Sequence, residues 1–133
     1  MSGRSMAAHR ALTLWYLRPE RKTMSIDSSD VVDGLGISKA DGKAVLIISD
    51  HLPWDDQEVH FSLLERKIGA YLAFIASGQV VETLPEAQGK AVRIELVYEH
   101  VPTTAAGRFF TATRTQLQSN GVEFIAMSLP NCY

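Results

Sequence analysis

Cysteine is almost absent: Cys132 is the single one in the chain. That scarcity excludes an internal disulfide and any multi-cysteine zinc site, and it fits a reducing compartment, so a cytoplasmic location is expected. Long apolar runs are missing too. None approaches the roughly 18–20 residues needed to span a bilayer, and no membrane partner is expected. Neither sign of charge dominates, since 13 Lys+Arg stand against 15 Asp+Glu for a net −2. No global basic field is available to hold nucleic acid. The phosphate-cradling and nucleophile motifs are also wanting. Gly34-Leu35-Gly36 lacks the third glycine and following helix of a dinucleotide fingerprint, and neither a Walker-type loop nor a Gly-x-Ser-x-Gly elbow occurs. No cofactor is implied.

What is present is enough for one soluble globular domain. The chain has 133 residues, 46% of them hydrophobic and 21% charged, which suffices to bury a core and is too short for two domains. Charge is unevenly placed. Residues 1–23 carry five basic groups (Arg4, Arg10, Arg18, Arg21, Lys22) against Glu20 alone, a net of +4. The other 110 residues hold eight basic and fourteen acidic groups, a net of −6. Met24-Ser25-Ile26-Asp27 reads as an ordinary protein start. Residues 1–23 are therefore expected to be an upstream extension or a cloning remnant, and residues 24–133 a single domain.

Within the domain, Val31 to Ile37 and Ala44 to Ser49 flank Lys39-Ala40-Asp41-Gly42-Lys43, and Asp-Gly between β-branched runs signals a hairpin. Gly34 and Gly36 suggest a bulge in the first strand. Trp54-Asp55-Asp56-Gln57-Glu58-Val59 reads as a helix start, with Asp55 as N-cap, Glu58 closing a capping box and Trp54 stapled to Val59. Phe61, Leu64, Ile68, Tyr71, Leu72 and Ile75 follow at helical spacing, and Gly78 supplies the stop. Val80-Val81 leaves open a short extra strand over 79–83. Lys90 to Glu99 alternates as a strand. Pro102-Thr103-Thr104 opens a second helix with the stripe Ala106, Phe109/Phe110, Thr113 and Leu117. Asn120-Gly121 closes it, and Val122 to Leu129 is a last strand. The order is ββαβαβ, an α+β domain with a mixed four-stranded sheet. Right-handed crossovers put both helices on one face.

That arrangement leaves a second face to cover. With Val45 and Ile47 toward the helices, Leu46 and Ile48 point the other way with Val97, Ile125 and Met127, an apolar surface that soluble monomers usually avoid. A symmetric partner, a different protein or the N-terminal arm could cover it. A homodimer is favoured because such pairings are common, with an unidentified protein partner as the other case.

Chemistry, if any, concentrates in Asp50-His51-Leu52-Pro53-Trp54-Asp55-Asp56 with Glu58 and His60, where a strand gives way to a helix. Open α/β sheets bind ligands at that edge. Parallel strands at 44–50 and 90–99 would bring Glu99-His100 there as well. His51 and His100, with Asp50 or Asp55, could then ligate a divalent metal, or a histidine with Asp50 could serve acid–base catalysis in a metal-assisted hydrolase. A structural explanation competes for most of these residues: Asp55 and Glu58 as caps, Asp56 on the helix dipole, Trp54 as staple. His51 and His60 also lack the i, i+4 spacing of paired ligands. Asp27, Asp30 and Asp33 lack the pattern of a calcium loop and fit a solvated strand edge better.

Four stretches carry a resemblance: Asp30-Val31-Val32-Asp33; Ile48-Ser49-Asp50-His51-Leu52-x-Trp54; Lys67-Ile68-x-Ala70-Tyr71-Leu72-Ala73-Phe74-Ile75-x-Ser77-Gly78; and Pro85-Glu86-Ala87-x-Gly89. From Met24 to about Pro102, and more weakly beyond, the chain resembles a family of small uncharacterised bacterial proteins, a domain of unknown function. The resemblance implies a bacterial cytoplasmic domain and supplies no catalytic residues. The preferred reading is a non-enzymatic protein-binding or regulatory module that self-associates.

Overall fold

A computed structural model describes residues 32–129. Residues 1–23, for which an extension is expected, and Asp27, Asp30, Val31 and Cys132 lie outside the described residues. Four strands form one mixed sheet in the order β1 (Gly34–Ile37), β2 (Ala44–Asp50), β3 (Val92–Tyr98) and β4 (Val122–Ser128). β1 pairs antiparallel with β2, while β2–β3 and β3–β4 are parallel. The helices among the described residues are α1 (Gln57–Ala76), the short α2 (Gln79–Thr83) and α3 (Thr104–Gln118), with a 3₁₀ turn at Pro85–Ala87. The α+β class and the mixed four-stranded sheet agree with the sequence reading.

The hairpin closes where Asp41-Gly42 stands. Gly42 adopts φ +75° and donates its N–H to the Ser38 carbonyl, a left-handed position a side chain would strain. β1 is shorter than expected, and no bulge interrupts it. Gly34 pairs with Ile47 and Gly36 with Val45 in an unbroken ladder. α1 starts one residue late: Asp56, not Asp55, is the N-cap, its carboxylate accepting from Val59 N at 3.3 Å. Either aspartate can fill the cap. The choice puts His60 and Leu64 on the buried side and leaves Val59 exposed, so the expected Trp54–Val59 staple does not form. Residues 79–83 are a single helical turn rather than a strand. Leu84 N donates to the Val80 carbonyl, and Val80 enters the core. Burying one side chain outweighs the β preference of a valine pair. α3 opens as read, with the Thr103 hydroxyl accepting from Ala106 N at 3.0 Å.

The core lies between the helices and one face of the sheet. Ala44, Leu46 and Ile48 of β2, Ile94 and Leu96 of β3, and Val122 and Phe124 of β4 pack with Leu64, Ile68, Tyr71 and Phe74 of α1 and with Ala106, Phe110 and Leu117 of α3. Full burial of a side chain the size of Phe124 contributes about 1.5–3 kcal/mol. The expected facing of β2 is thus inverted. Leu46 and Ile48 are fully buried under the helices, and Ile47 instead shares the opposite face with Gly34, whose missing Cβ would meet the Ile47 side chain at 3.4 Å. By strand alternation Val97, Ile125 and Met127 lie on that opposite face with Ile47, apart from Leu46 and Ile48 with which they were grouped.

Candidate functional site

Two places can carry function: the edge where the parallel strands end, and the sheet face away from the helices. At the edge, Asp50, Tyr98 and Ser128 stand in register as the last residues of β2, β3 and β4. Glu99 N donates to the Asp50 carbonyl, so the stretch after β3 does reach the stretch after β2. The chemistry there differs from the expected arrangement. Asp50 does not pair with His51 or His100. Its carboxylate meets Nε2 of His60 at 2.7 and 2.9 Å, from the first turn of α1, and both side chains are buried. Nδ1 of His60 lies 3.1 Å from the Pro53 carbonyl. The Trp54 ring stacks on the imidazole with centroids 3.7 Å apart, and its Nε1 donates to the His100 carbonyl at 3.1 Å. Leu52 N adds a bond to the Asp50 carboxylate. Burial raises the Asp50 pKa above the usual carboxylate value, against the lowering effect of His60.

This cluster fills the edge rather than opening it. Both ring nitrogens of His60 are engaged within the chain, so neither can take a proton from a substrate. His51 and Asp55 are exposed, and His100 contributes its backbone carbonyl to Trp54. No group of three or more His, Cys, Asp or Glu side chains among the described residues is placed to hold a metal ion, so His51, His100, Asp50 and Asp55 do not form one.

A second buried polar system was not read from the sequence. Lys67, fully buried on α1, pairs with Asp33 at 3.0 Å. The other Asp33 oxygen accepts from Ser49 N at 2.8 Å. Asp33 N donates to the Tyr71 hydroxyl, which in turn donates to the Ile47 carbonyl at 2.6 Å. Asp33 is therefore buried and paired, not part of a solvated edge, and this system ties α1 to the β1–β2 pair. The signal for it was periodic: His60, Leu64, Lys67, Tyr71 and Phe74 fall at three- and four-residue spacing, with a histidine and a lysine on the buried stripe.

The sheet face away from the helices follows from the register in three cross-strand rows. Gly36, Val45, Arg93 and Glu123 form one row; Gly34, Ile47, Glu95 and Ile125 the next; Ser49, Val97 and Met127 the third. Its charges are compensated locally. Arg93 bonds Asp41 at 2.6 Å and Glu95 at 2.8 Å, and Lys43 bonds Glu123 at 2.7 Å. The Arg93 guanidinium holds Asp41 down at about 2, and the Lys43 ammonium lowers Glu123. No described helix lies over this face, and a shallow trough runs over Gly34 and Gly36 beside Val45 and Ile47.

Fold and site together define a small α+β domain with a mixed sheet, the described helices on one of its faces, and a strand edge filled by its own side chains. The chain belongs to a family of unknown function (DUF6572), whose sequence profile matches residues 24–129. No curated protein and no solved structure matches it. None of the described helices is long and apolar enough to cross a membrane.

Proposed function

We propose that the domain is a non-enzymatic protein-binding module of the cytoplasm that pairs with a second copy of itself through the open face of its sheet. The observation that carries this reading is that face: Ile47, Val97, Ile125 and Met127 are half-buried on a surface over which no described helix packs. Soluble monomers rarely leave such a surface to water. Two features support a second copy over a strongly charged partner. The face carries both signs, and its central charges already satisfy one another through Arg93, Asp41 and Glu95. Covering it with an identical surface leaves no unpaired charge to desolvate. The non-enzymatic part rests on the engaged nitrogens of His60 at the strand edge, and the cytoplasmic part on the single cysteine.

Size-exclusion chromatography with light scattering tests it. A dimer is expected at micromolar concentration, and Ile125→Asp should convert it to a monomer with an unchanged circular dichroism spectrum. A wild-type chain that is monomeric under those conditions overturns the reading.

A further inference from the structure

The open face is a wedge. Along β1 it bears only glycines, Gly34 and Gly36, and the trough lies there; along β4, at the opposite side of the sheet, it bears Glu123, Ile125 and Met127. A surface thin on one side and thick on the other packs on its own copy in only one sense without leaving a gap. Rotation about a twofold axis parallel to the strands carries β4 of one copy over β1 of the other, so ridge meets trough. Rotation about an axis across the strands lays trough on trough, and the unfilled space forfeits packing contacts. The register makes the first arrangement specific. The row Gly34–Ile47–Glu95–Ile125 lies over itself reversed, setting Ile125 above the partner copy's glycine at position 34. The neighbouring row likewise sets Glu123 above the glycine at position 36. Gly36 is open, a Cβ there meeting nothing within 4 Å, while the atoms nearest a Cβ at Gly34 are those of the Ile47 side chain at 3.4 Å, an ordinary van der Waals contact.

Resting on the pairing proposed above, we infer that two copies stack face to face about a twofold axis parallel to the strands, the β4 ridge of each filling the glycine trough of the other. Such isologous contacts are self-complementary by construction. The strands of the two sheets then run within about 30° of each other, as in other aligned sheet packings.

Cysteine cross-linking of the full chain, in a Cys132→Ser background, tests the axis. Gly34→Cys combined with Ile125→Cys, treated with a short bismaleimide, is expected to run at doubled mass under denaturing conditions, while Gly34→Cys alone does not. Within one copy the two positions are three strand spacings apart, roughly 14 Å, so a short linker does not join them internally. Gly36→Cys with Glu123→Cys is a second pair from the adjacent row, usable if the first variant misfolds. Cross-linking by Gly34→Cys alone overturns the inference in favour of the crossed axis. A dimer by light scattering in which neither pair cross-links overturns it while leaving the self-association reading intact. A wild-type monomer overturns both.

Discussion

Asp50 and His60 show how a buried pair can look catalytic and be structural. The Pro53 carbonyl can only accept, so Nδ1 of His60 carries its hydrogen, and the Nε2–carboxylate contact needs one further proton on either atom. The pair is net neutral whichever atom holds that proton, and a neutral amide can therefore replace the acid. Asp50→Asn is expected to cost little, because its amide can donate to Nε2 and its oxygen can still accept from Leu52 N. Asp50→Ala strands the imidazole and should lose about 1–3 kcal/mol more in urea unfolding. Acid titration separates the carboxylates. Asp41 is lowered from 3.8 to about 2, first by its hydrogen bond from Arg93, and Glu123 is lowered by Lys43. Their contributions are fully present above the unfolded values and are lost as pH falls through the folded ones. Asp50 works the other way: burial raises its value, so the folded state takes up the proton first, and its contribution to stability grows as pH falls. The unfolding midpoint should decline between about pH 4 and about pH 2, less steeply in Asp41→Asn. Asp50→Asn should instead remove the gain that the wild-type chain makes above that window, as pH falls toward the unfolded value of 3.8.

α1 organises the domain because its buried stripe mixes apolar and polar anchors. Leu64, Ile68 and Phe74 pack on the sheet, while His60 holds the end of β2 and Lys67 with Tyr71 holds the start of β1. Lys67→Met removes the Lys67 ammonium from beside the buried Asp33 carboxylate, and a loss of about 3–5 kcal/mol is expected in urea unfolding. Asp33→Asn combined with Lys67→Met removes both charges and should recover more than half of that loss, the measurement being the same midpoint. This helix also marks how far the sequence could be read. Its existence, length and stop at Gly78 were legible because its apolar residues keep helical spacing. His60 was read as part of the polar cluster but not of the buried stripe, and Lys67 was not read as a core residue, because a polar residue on an apolar stripe carries no sign of its partner, and those partners lie 10 and 34 residues away. β2 defeated the reading of its faces for the opposite reason. Ala44 to Ile48 is apolar at every position, so alternation is silent, and a single step inverts the assignment. On β3 the alternation of Arg93 and Glu95 with Ile94 and Leu96 did reveal the wetter face. Reading β2 in register with β3, rather than alone, recovers the correct facing: Leu46 stands beside Ile94 and Ile47 beside Glu95.

At the scale of the molecule, one sheet serves two different surfaces. The helix side holds the apolar core. The other side combines a charge network around Arg93 with an apolar strip toward Met127. On the proposed pairing, a second copy over this face should make part of the domain's stability a matter of mass action, since a partner that binds only the folded state raises the free energy of unfolding. For a dimer that dissociates as it unfolds, each tenfold rise in concentration adds about 1.4 kcal/mol to the dimer's apparent stability, whereas a monomer is indifferent. The urea midpoint of the wild-type chain is accordingly expected to climb between about 1 and about 100 micromolar. Ile125→Asp, with the ridge broken, should give one midpoint across that range, equal to or below the wild-type value at its lowest concentration. A wild-type midpoint that does not move, in a chain that light scattering shows to be dimeric, would mean that each copy is stable alone and that the open face contributes to recognition and not to folding.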